Sequence, residues 1–403
     1  MREEDERRGR PGAENELASG VLAWLRKERD AIRALLERWA AIETPSRAPD
    51  TQQPLFAAIA RELGELGFAT RLLPGRRSGG SLYARPEQRQ RGVGAQLLLG
   101  HCDTVWPERT LEEMPVDADA ERIRGPGVYD MKAGLVQIVF ALRALRALGA
   151  SPALTPIVFV NSDEEIGSRE STAMIRRLAR IVERTFVLEP SLGLEGRLKT
   201  ARKGVGRFTI HVQGRAAHAG LDPEAGISAI LELSHVVQEL FALNDVERGV
   251  SVNVGTIEGG LGANVIAPES NAVVDVRVLT QADAERIEHA ILALQPTTPG
   301  AELEIEGRIG RPTMERTPGN QALFATAQRL GSEMGLEIEE ATAGGGSDGN
   351  TTSLFGPTLD GLGAVGDGAH AQHEFVFAER LPERAALLAL LLMAEPDRSN
   401  AAT

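Results

Sequence analysis

Three short apolar runs in this chain each stop at a glycine or polar residue, and this pattern strongly constrains the fold. The runs and the residues that follow them are Leu97–Leu99 before Gly100, Ile157–Val160 before Asn161 and Thr185–Leu188 before Glu189. Apolar runs of this length are typical of parallel strands that are buried on both faces. The carboxyl ends of such strands form the ligand crevice of an open α/β sheet. We therefore expect residues that are distant in sequence to meet at one edge of a sheet.

Five ionisable residues near these strand ends or in glycine-rich turns have the side chains of metal ligands. They are His101, Asp130, Glu165, Glu189 and His370. Two imidazoles and several carboxylates suit zinc or a similar divalent ion, and an even division between two ions needs one shared carboxylate. Asp130 is the natural bridge. Two ions about 3.5–4 Å apart would polarise a substrate carbonyl and lower the pKa of a bound water.

A general base is also needed, and the segment Asp163-Glu164-Glu165 can supply it. Neighbouring side chains leave a strand end in different directions, so one carboxylate can bind metal while the next takes a proton from the attacking water. We assign Glu164 as the base and Glu165 as the ligand. Asp103, two residues after His101, suits a carboxylate that fixes the tautomer of that imidazole.

Four segments of the chain together carry a family resemblance. They are 101–105 (His-Cys-Asp-Thr-Val), 125–134 (Gly-Pro-Gly-Val-Tyr-Asp-Met-Lys-Ala-Gly), 163–168 (Asp-Glu-Glu-Ile-Gly-Ser) and 370–374 (His-Ala-Gln-His-Glu). The chain resembles the dinuclear zinc aminoacylase and carboxypeptidase family, peptidase family M20, over nearly its whole length after about residue 20. The G-type glutamate carboxypeptidases look closest, because of Gly344–Asn350 and the stretch around Arg311.

The resemblance implies a division of the ligands between two metal ions. Asp130 would bridge the ions, His101 and Glu189 would complete one site, and Glu165 and His370 would complete the other. Zinc is the expected metal, although cobalt and manganese suit similar ligand sets.

His370 is preferred to His373 as a ligand because the family motif places the ligand four residues before a glutamate, here Glu374. Cys102, which lies between the ligand His101 and Asp103, is the only cysteine in the chain. We interpret it as a small packing residue with no assigned role.

The order of predicted elements indicates an α/β fold: a mixed, mostly parallel sheet flanked by helices, with a second unit inserted. An amphipathic pattern runs from about Ala18 to Ile42, a helix is predicted from Pro54 to Leu66, and another follows Asp130 as far as Leu148. The inserted unit is predicted from a strand at 207–212, a helix at 223–243, strands at 251–257 and 272–279, a helix at 281–294 and a strand at 302–308.

That order, β-α-β-β-α-β, is typical of a ferredoxin-like α+β unit. We expect a catalytic domain made of residues 1–204 and 313–403, interrupted by an inserted domain at 205–312. In the family that the chain resembles, the inserted unit is the lid and dimerisation domain. The resemblance therefore implies a homodimer, while a monomer stays open.

The resemblance also implies six substrate contacts, at His218, Asn264, Arg277, Arg311, Gly346 and Ser347. His218 would reach the active site of a neighbouring subunit and stabilise the tetrahedral oxyanion. Asn264 and Arg277 would hold the carboxylate of the substrate. For Arg277 the alternative is an exposed strand arginine. The stretch Gly344–Asn350 is either a mobile loop or a loop whose backbone amides approach an anion closely.

Composition is that of a soluble enzyme and excludes some other classes. A chain of 403 residues should form about two domains. The net charge of −13 disfavours nucleic-acid binding, which needs a basic surface. Residues 1–20 contain no apolar stretch, so we expect no signal peptide and no membrane association. A single cysteine allows no internal disulfide and fits a reducing, cytoplasmic location.

These features predict a metal-dependent hydrolase that cleaves an amide or peptide bond next to a free carboxylate. A small-molecule substrate with a C-terminal or N-acyl glutamate is expected. The alternative within the same class is an N-acyl amino-acid deacylase or a dipeptidase. A metal-binding or ligand-binding protein without turnover is the alternative from another class, and Glu164 argues against it because a carrier needs no base.

Overall fold

The computed structural model describes residues 11–88 and 92–396, apart from the side chains of residues 11–15. The chain forms two compact units. Unit 1 contains the described residues up to Thr200, Arg316–Ala341 and the described residues from Ser347 onward, and unit 2 contains Ala201–Glu315 and Thr342–Gly346. The domain boundaries expected from the sequence, at 204/205 and 312/313, stay a prediction.

Two helical segments of the described ranges differ clearly from the sequence prediction, and they are described after the helix bounds. In chain order the helices are α1 (Pro11–Lys27), α2 (Arg29–Ala40), α3 (Gln53–Glu65), α4 (Ala133–Ala147), α5 (Thr172–Ala179), α6 (Ala229–Ala242), α7 (Gln281–Leu292), α8 (Pro318–Glu333), α9 (Asp348–Thr352) and α10 (Arg380–Met393). The single pattern predicted from Ala18 to Ile42 is two helices, because the chain leaves helical geometry at Glu28. Helix α6 begins after a separate short turn at Pro223–Ala225, and the Ser228 hydroxyl caps it by accepting from the Leu231 N–H at 3.2 Å.

The strands of the described ranges are mostly short. In chain order they are β1 (Phe68–Leu73), β2 (Ser81–Pro86), β3 (Ala95–His101), β4 (Asp117–Ala118), β5 (Arg122–Arg124), β6 (Thr155–Asn161), β7 (Arg184–Val187), β8 (Leu198–Arg202), β9 (Gly204–Gln213), β10 (Ser251–Gly259), β11 (Glu269–Val278), β12 (Glu302–Arg311), β13 (Glu340–Ala343), β14 (Thr358–Leu359), β15 (Gly366–Asp367) and β16 (Phe375–Phe377).

The main sheet of unit 1 has the strand order β1-β2-β6-β3-β7-β14. Strands β6, β3, β7 and β14 are parallel, and β2 and β1 extend the sheet in antiparallel pairing. Two of the three apolar runs predicted to be parallel strands lie within β3 and β6, and the third, Thr185–Leu188, covers β7 from its second residue and continues one residue past its end. His101 pairs with Asn161 at the carboxyl ends of β3 and β6. The prediction that these strand ends meet at one edge is therefore confirmed.

Both faces of the central strands β3, β6 and β7 are buried, which explains why their apolar runs are continuous. Leu98 belongs to a large core that includes residues of α4 and α10, whereas Leu97 and Leu99 belong to a smaller core with Ile175 and Leu178 of α5. Successive side chains of a strand point to opposite faces, so this alternation places one helical layer on each side. The predicted α/β class, with a mostly parallel sheet flanked by helices, is correct.

Unit 2 has the element order β9-α6-β10-β11-α7-β12. Its sheet has the strand order β10-β11-β9-β12, with antiparallel pairing throughout. Alternate residues of β9 and β11 are buried in a core that also contains residues of α6 and α7. This is the ferredoxin-like order expected from the sequence. Among the helices with described positions, none combines the length and apolarity needed to traverse a lipid bilayer.

Candidate metal centre

The carboxyl edge of the main sheet positions three of the five predicted ligands, all in unit 1. His101 is the last residue of β3, Glu165 lies in a short helical turn after β6, and Glu189 follows β7 by two residues. Asp130 lies in an irregular turn, Val128–Lys132, before α4, and its peptide bond to Met131 is cis. His370 lies in the loop between β15 and β16.

The two histidines face opposite oxygens of one carboxylate. Nε2 of His101 is 3.2 Å from Oδ1 of Asp130, and Nε2 of His370 is 3.4 Å from Oδ2. Nε2 of His101 is also 3.4 Å from Glu189 Oε1, and Nε2 of His370 is 3.1 Å from Glu165 Oε2. Each imidazole therefore shares Asp130 and has one glutamate of its own, which is the grouping that a bridged pair of ions requires.

Glu164 lies beside the first of these groups. Donor atoms of His101, Glu164 and Glu189 all lie within 4.8 Å of one another, as do donor atoms of His101, Asp130 and Glu165. The Glu164 side chain is buried, with 8% of the residue exposed. A carboxylate in this position is close enough to exchange a proton with a water molecule at the centre.

The chemistry of these side chains suits cations. Five carboxylates surround two imidazoles: those of Asp103, Asp130, Glu164, Glu165 and Glu189. Buried negative charge in such excess is costly unless cations balance it. A mixture of imidazole nitrogen and carboxylate oxygen is also the donor set that zinc and similar divalent ions prefer. The residues present therefore fit two divalent ions.

The close packing of these imidazoles and carboxylates shifts their pKa values. Burial raises the pKa of Glu165 to about 7. Hydrogen bonds to Asp130 and Glu165 raise the pKa of His370 to about 10. Burial alone would lower the pKa of His101, but its contacts with Asp103, Asp130 and Glu189 raise it well above the usual value. Metal binding to such a site must displace protons, so affinity will depend on pH.

Asp103 has a wider role than the one expected from the sequence. Its buried carboxylate accepts from the backbone N–H groups of Glu164 and Glu165, each at 3.2 Å, and from the Ser46 hydroxyl at 2.7 Å. Nδ1 of His101 lies 3.0 Å from the Asp103 carbonyl oxygen and 3.4 Å from its carboxylate. The carbonyl is thus the nearer group to fix the His101 tautomer, and the carboxylate holds the Glu164-Glu165 turn.

Glu374, which the sequence analysis used only to choose between His370 and His373, is a buried residue that contacts the Asp130 turn. Its carboxylate accepts from the N–H groups of Gly127 at 2.9 Å, Tyr129 at 2.9 Å and Asp130 at 3.0 Å. The indole Nε1–H of Trp106 is a fourth donor, at 3.1 Å. One buried side chain therefore fixes the turn that carries the bridging aspartate.

The loop that follows Glu189 is held from two sides. The Tyr129 hydroxyl donates to the Ser191 carbonyl at 2.6 Å, and the Gly363 N–H donates to the Glu189 carbonyl at 2.8 Å. The buried Arg384 guanidinium in turn donates to the Gly363 carbonyl at 2.9 Å. Burial lowers the pKa of Arg384 to about 9. No sequence pattern indicated these contacts, since all three acceptors are backbone carbonyls.

Unit 2 brings the segments of His218 and Asn264 together. The Ala219 N–H donates to the Asn264 carbonyl at 3.0 Å. The His218 side chain is exposed, and its Nδ1 accepts from the N–H groups of Gly220 at 3.1 Å and Leu221 at 3.2 Å. Since Nδ1 is an acceptor, the neutral ring must carry its hydrogen on Nε2, where it can be donated outward.

Arg277 lies on the polar face of the unit 2 sheet, opposite the buried side chains of Val274 and Val276. Its guanidinium binds Asp275 with two hydrogen bonds, from Nε at 2.8 Å and from Nη2 at 3.0 Å. Two of its five N–H donors therefore already serve a carboxylate. The role of Arg277 in holding a substrate carboxylate stays a prediction.

Arg311 and Gly346 also meet within unit 2. A side-chain carbon added at Gly346 would lie 2.8 Å from Cδ of Arg311, so a larger residue at this position would require the Arg311 side chain to move. Arg202 donates to the carbonyls of Gly345 at 3.3 Å and Gly346 at 3.2 Å. The glycine stretch is therefore held by an arginine from β8, and its substrate role stays a prediction.

Ser347 lies in unit 1 and caps the short helix α9. Its fully buried hydroxyl donates to Asp360 at 2.6 Å and accepts from the Gly349 N–H at 3.0 Å, while the Ser347 N–H donates to Asn350 at 2.8 Å. This arrangement is a capping box. The geometry gives Ser347 a structural task that the sequence did not suggest, and its predicted contact with substrate stays untested.

Comparisons with known proteins identify the family of this chain. The model of peptidase family M20/M25/M40 matches residues 97–394. Carboxypeptidase G2 from Pseudomonas sp. (strain RS-16) is 29% identical over 91% of this chain and 89% of the relative. Succinyl-diaminopimelate desuccinylase from Acidovorax ebreus is 30% identical over 83% of this chain and 91% of the relative.

A solved structure, that of aminopeptidase PepT from Bacillus cereus, has the same fold. It superposes with a TM-score of 0.79 at 20% identity and covers 91% of this chain and 98% of the other. The family match spans the predicted ligands from His101 to His370, and those five side chains lie together in the structure. The chain belongs to peptidase family M20/M25/M40 and is a hydrolase of the metallopeptidase class.

Proposed function

We propose that this protein uses two metal ions to hydrolyse an amide or peptide bond next to a free carboxylate, with C-terminal glutamate as the released product. The position of Asp130 carries the proposal: its two oxygens face Nε2 atoms of two different histidines, at 3.2 Å for His101 and 3.4 Å for His370. A carboxylate placed in this way can bridge two cations. Glu189 and Glu165 would each complete one of the two sites.

The chain supplies the proton transfer and the positioning. Two divalent cations, zinc in our proposal although cobalt and manganese fit similar ligands, would polarise the scissile carbonyl and acidify the attacking water. Glu164 takes a proton from that water and returns it to the leaving nitrogen. Asp103 holds Glu164 in place through its backbone N–H. His218 donates its Nε2 hydrogen to the oxygen that becomes negative.

Specificity for a free carboxylate comes in this proposal from the predicted substrate contacts of unit 2 together with Ser347. Arg277 supports it because a guanidinium binds carboxylates through parallel hydrogen bonds, as it does with Asp275 here. Asn264 and Arg311 add polar contacts, and Gly346 permits close approach of an anion to the backbone. The name of the relative carboxypeptidase G2 supports release of a C-terminal residue.

A second candidate is an N-acyl amino-acid deacylase or a dipeptidase. The 30% identity to a succinyl-diaminopimelate desuccinylase favours the deacylase, since that relative removes an acyl group as its name states. The two candidates use the same bond cleavage and differ in the acyl group that must be accommodated.

The test is amino-acid release by the zinc-reconstituted enzyme from pteroyl-glutamates, N-acyl amino acids and dipeptides. Our proposal expects the highest kcat/KM for substrates that end in glutamate and no turnover after chelation. Turnover confined to N-acyl amino acids would select the second candidate. Turnover that is unaffected by complete metal removal would overturn the metal-dependent mechanism.

We also propose a homodimer formed through unit 2, with a monomer as the alternative. Several apolar side chains of this unit are exposed: Leu231 and Phe241 on α6 are 51% and 47% exposed, and Ile257 on the edge strand β10 is 57% exposed. Exposed apolar groups beside an unpaired strand edge favour association. Light scattering gives the mass directly.

A cytoplasmic location, supported by the free thiol of Cys102, is tested by cell fractionation.

A further inference from the structure

Asp130 is connected to the two halves of the metal centre through two separate side-chain contacts. We call His101 and Glu189 the first half, and Glu165 and His370 the second half. One contact leads from the Asp130 turn to the chain beside Glu189, and the other leads to the chain beside His370. Neither contact involves an atom that would bind metal.

The first contact is made by Tyr129, the residue before Asp130. Its hydroxyl donates to the carbonyl of Ser191, two residues after Glu189, at 2.6 Å. Ser191 is itself fixed, because both its N–H and its hydroxyl donate to the Ala364 carbonyl at 3.0 Å. The Tyr129 ring is therefore a stiff connection between the bridging residue and the first half.

The second contact is made by Glu374, four residues after His370. Its carboxylate accepts from the N–H of Asp130 itself at 3.0 Å, and from those of Tyr129 and Gly127 at 2.9 Å. The His370 loop is closed by the Glu374 N–H, which donates to the Ala371 carbonyl at 3.0 Å. A single buried side chain thus joins the bridging residue to the second half.

We propose that Tyr129 and Glu374 are positioning residues that separately set the affinity of the two metal ions, Tyr129 for the ion of the first half and Glu374 for the ion of the second. The inference rests on the proposed binding of two ions. Without the Tyr129 hydroxyl, the Glu189 segment loses its tie to the Asp130 turn, while Glu374 still holds the backbone of Asp130. Without the Glu374 carboxylate, the His370 loop loses its tie to the Asp130 turn, while the Tyr129 hydroxyl still joins that turn to the segment beside Glu189.

Two conservative variants remove these contacts, and the chain offers a matched control for each. Tyr129→Phe removes only the hydroxyl, and Tyr83→Phe makes the same change in the other tyrosine, on β2. Glu374→Gln places an NH2 group where an acceptor is needed. Glu232→Gln does the same to a buried carboxylate of unit 2, which accepts from the N–H groups of Thr297 at 3.0 Å and Thr298 at 2.6 Å.

The experiment titrates the full-length apo-protein with zinc in competition with a chromogenic chelator and resolves two binding constants. Loss of an outer hydrogen bond to a ligand typically weakens metal binding about 10–100-fold. We expect that loss for one ion in Tyr129→Phe and for the other ion in Glu374→Gln, and unchanged constants in both controls. Backgrounds that carry Glu189→Gln or Glu165→Gln, each with one half disabled, identify the affected ion.

The outcomes separate failure of the inference from failure of the proposed function. If the wild-type protein binds no zinc, the proposed dinuclear site is wrong. If it binds two ions and the variants weaken both ions equally, or neither, the separate roles of Tyr129 and Glu374 are wrong. Should Glu374→Gln not fold, Trp106→Phe removes one of the hydrogen bonds to that carboxylate and should weaken the same ion several-fold, with an unaltered melting temperature of the apo-protein.

Discussion

The carboxylate of Asp103 holds the backbone of Glu164, whose N–H donates to Oδ1 at 3.2 Å. This bond is buried, and the other carboxylate oxygen accepts from Glu165 in the same way. The proposed base and the proposed ligand are therefore oriented by one side chain, which follows His101 by two residues. Changes at Asp103 should consequently affect proton transfer and metal binding together.

The first prediction is that Glu164→Gln abolishes turnover while both metal ions stay bound. The amide keeps the volume of the side chain but cannot accept the proton of the attacking water. Loss of a general base should lower kcat by about 10²–10⁴-fold. Metal content by mass spectrometry is the control, and near-full activity with an intact metal site would show that Glu164 is not the base.

The second prediction concerns Asp103→Asn. The amide cannot accept from both backbone N–H groups, so one of them loses its partner. We expect a loss of about 10–100-fold in kcat or metal affinity. Ser46→Ala, which removes the hydroxyl that donates to Asp103 at 2.7 Å, should have the same effect to a smaller degree. Kinetics and zinc titration measure both variants, and wild-type values for Asp103→Asn would contradict the assigned role.

A third prediction is that His218 acts across a dimer. Its Nε2 hydrogen is free for donation because Nδ1 accepts from the N–H groups of Gly220 and Leu221. Mixing inactive His218→Ala subunits with inactive Glu164→Gln subunits should restore activity, since hybrid dimers contain one site with both residues intact. Heterodimers must be confirmed by mass. If they form and stay inactive, His218 does not act in the neighbouring site.

A fourth prediction addresses substrate selection by Arg277. A lysine cannot reproduce the two parallel hydrogen bonds of a guanidinium. Arg277→Lys should therefore raise KM for free-carboxylate substrates more than for their amidated analogues. The difference should correspond to a binding free energy of about 1.5–3 kcal/mol, which is typical of a charge-assisted hydrogen bond. Asp275→Asn is the companion variant, because the Asp275 carboxylate accepts hydrogen bonds from the Arg277 guanidinium. Equal losses on both substrates would show that Arg277 supports the sheet and does not contact substrate.

The fifth prediction concerns stability and pH. The Arg316 guanidinium donates to Glu340 from Nε at 2.9 Å and lowers the pKa of that carboxyl. A carboxyl with a lowered folded-state pKa stabilises the protein above its unfolded pKa, and this contribution disappears as pH falls through the folded value. The pair is partly exposed, so Glu340→Gln should cost only about 0.5–1 kcal/mol at pH 7. Urea unfolding at pH 7 and at progressively lower pH should show a difference between variant and wild type that shrinks in acid; a difference that does not change with pH would contradict it.

The sequence predicted the fold best where one physical cause sets both the end of a strand and the type of residue that follows it. The ends of β3, β6 and β7 were predictable because a buried strand must stop being apolar where it meets the ligand crevice. The break at Glu28 was not, because glutamate has good helix propensity and only tertiary packing decides where α1 ends. The start of α6 was placed too early for a related reason: Pro223 begins a separate turn.

The site was predictable only as far as its chemistry depends on side-chain type. Residue type and the motif spacing of the family selected five histidine and carboxylate side chains, and these five lie together in the structure. Their roles as ligands stay predictions. Glu374 and Tyr129 were missed, because they act on backbone N–H and C=O groups that every residue carries. Likewise, the pairing of Arg277 with Asp275 depends on two neighbouring strand residues of the same face turning towards each other.

The five candidate ligands lie on both sides of unit 2 in the chain. His101, Asp130, Glu165 and Glu189 precede it, whereas His370 follows it. On the ribosome, the first four emerge well before the fifth. A nascent chain that stops within unit 2 therefore has the residues of the first half but lacks His370 and Glu374. Completion of the metal centre thus depends on synthesis of all of unit 2 and of the segment that follows it.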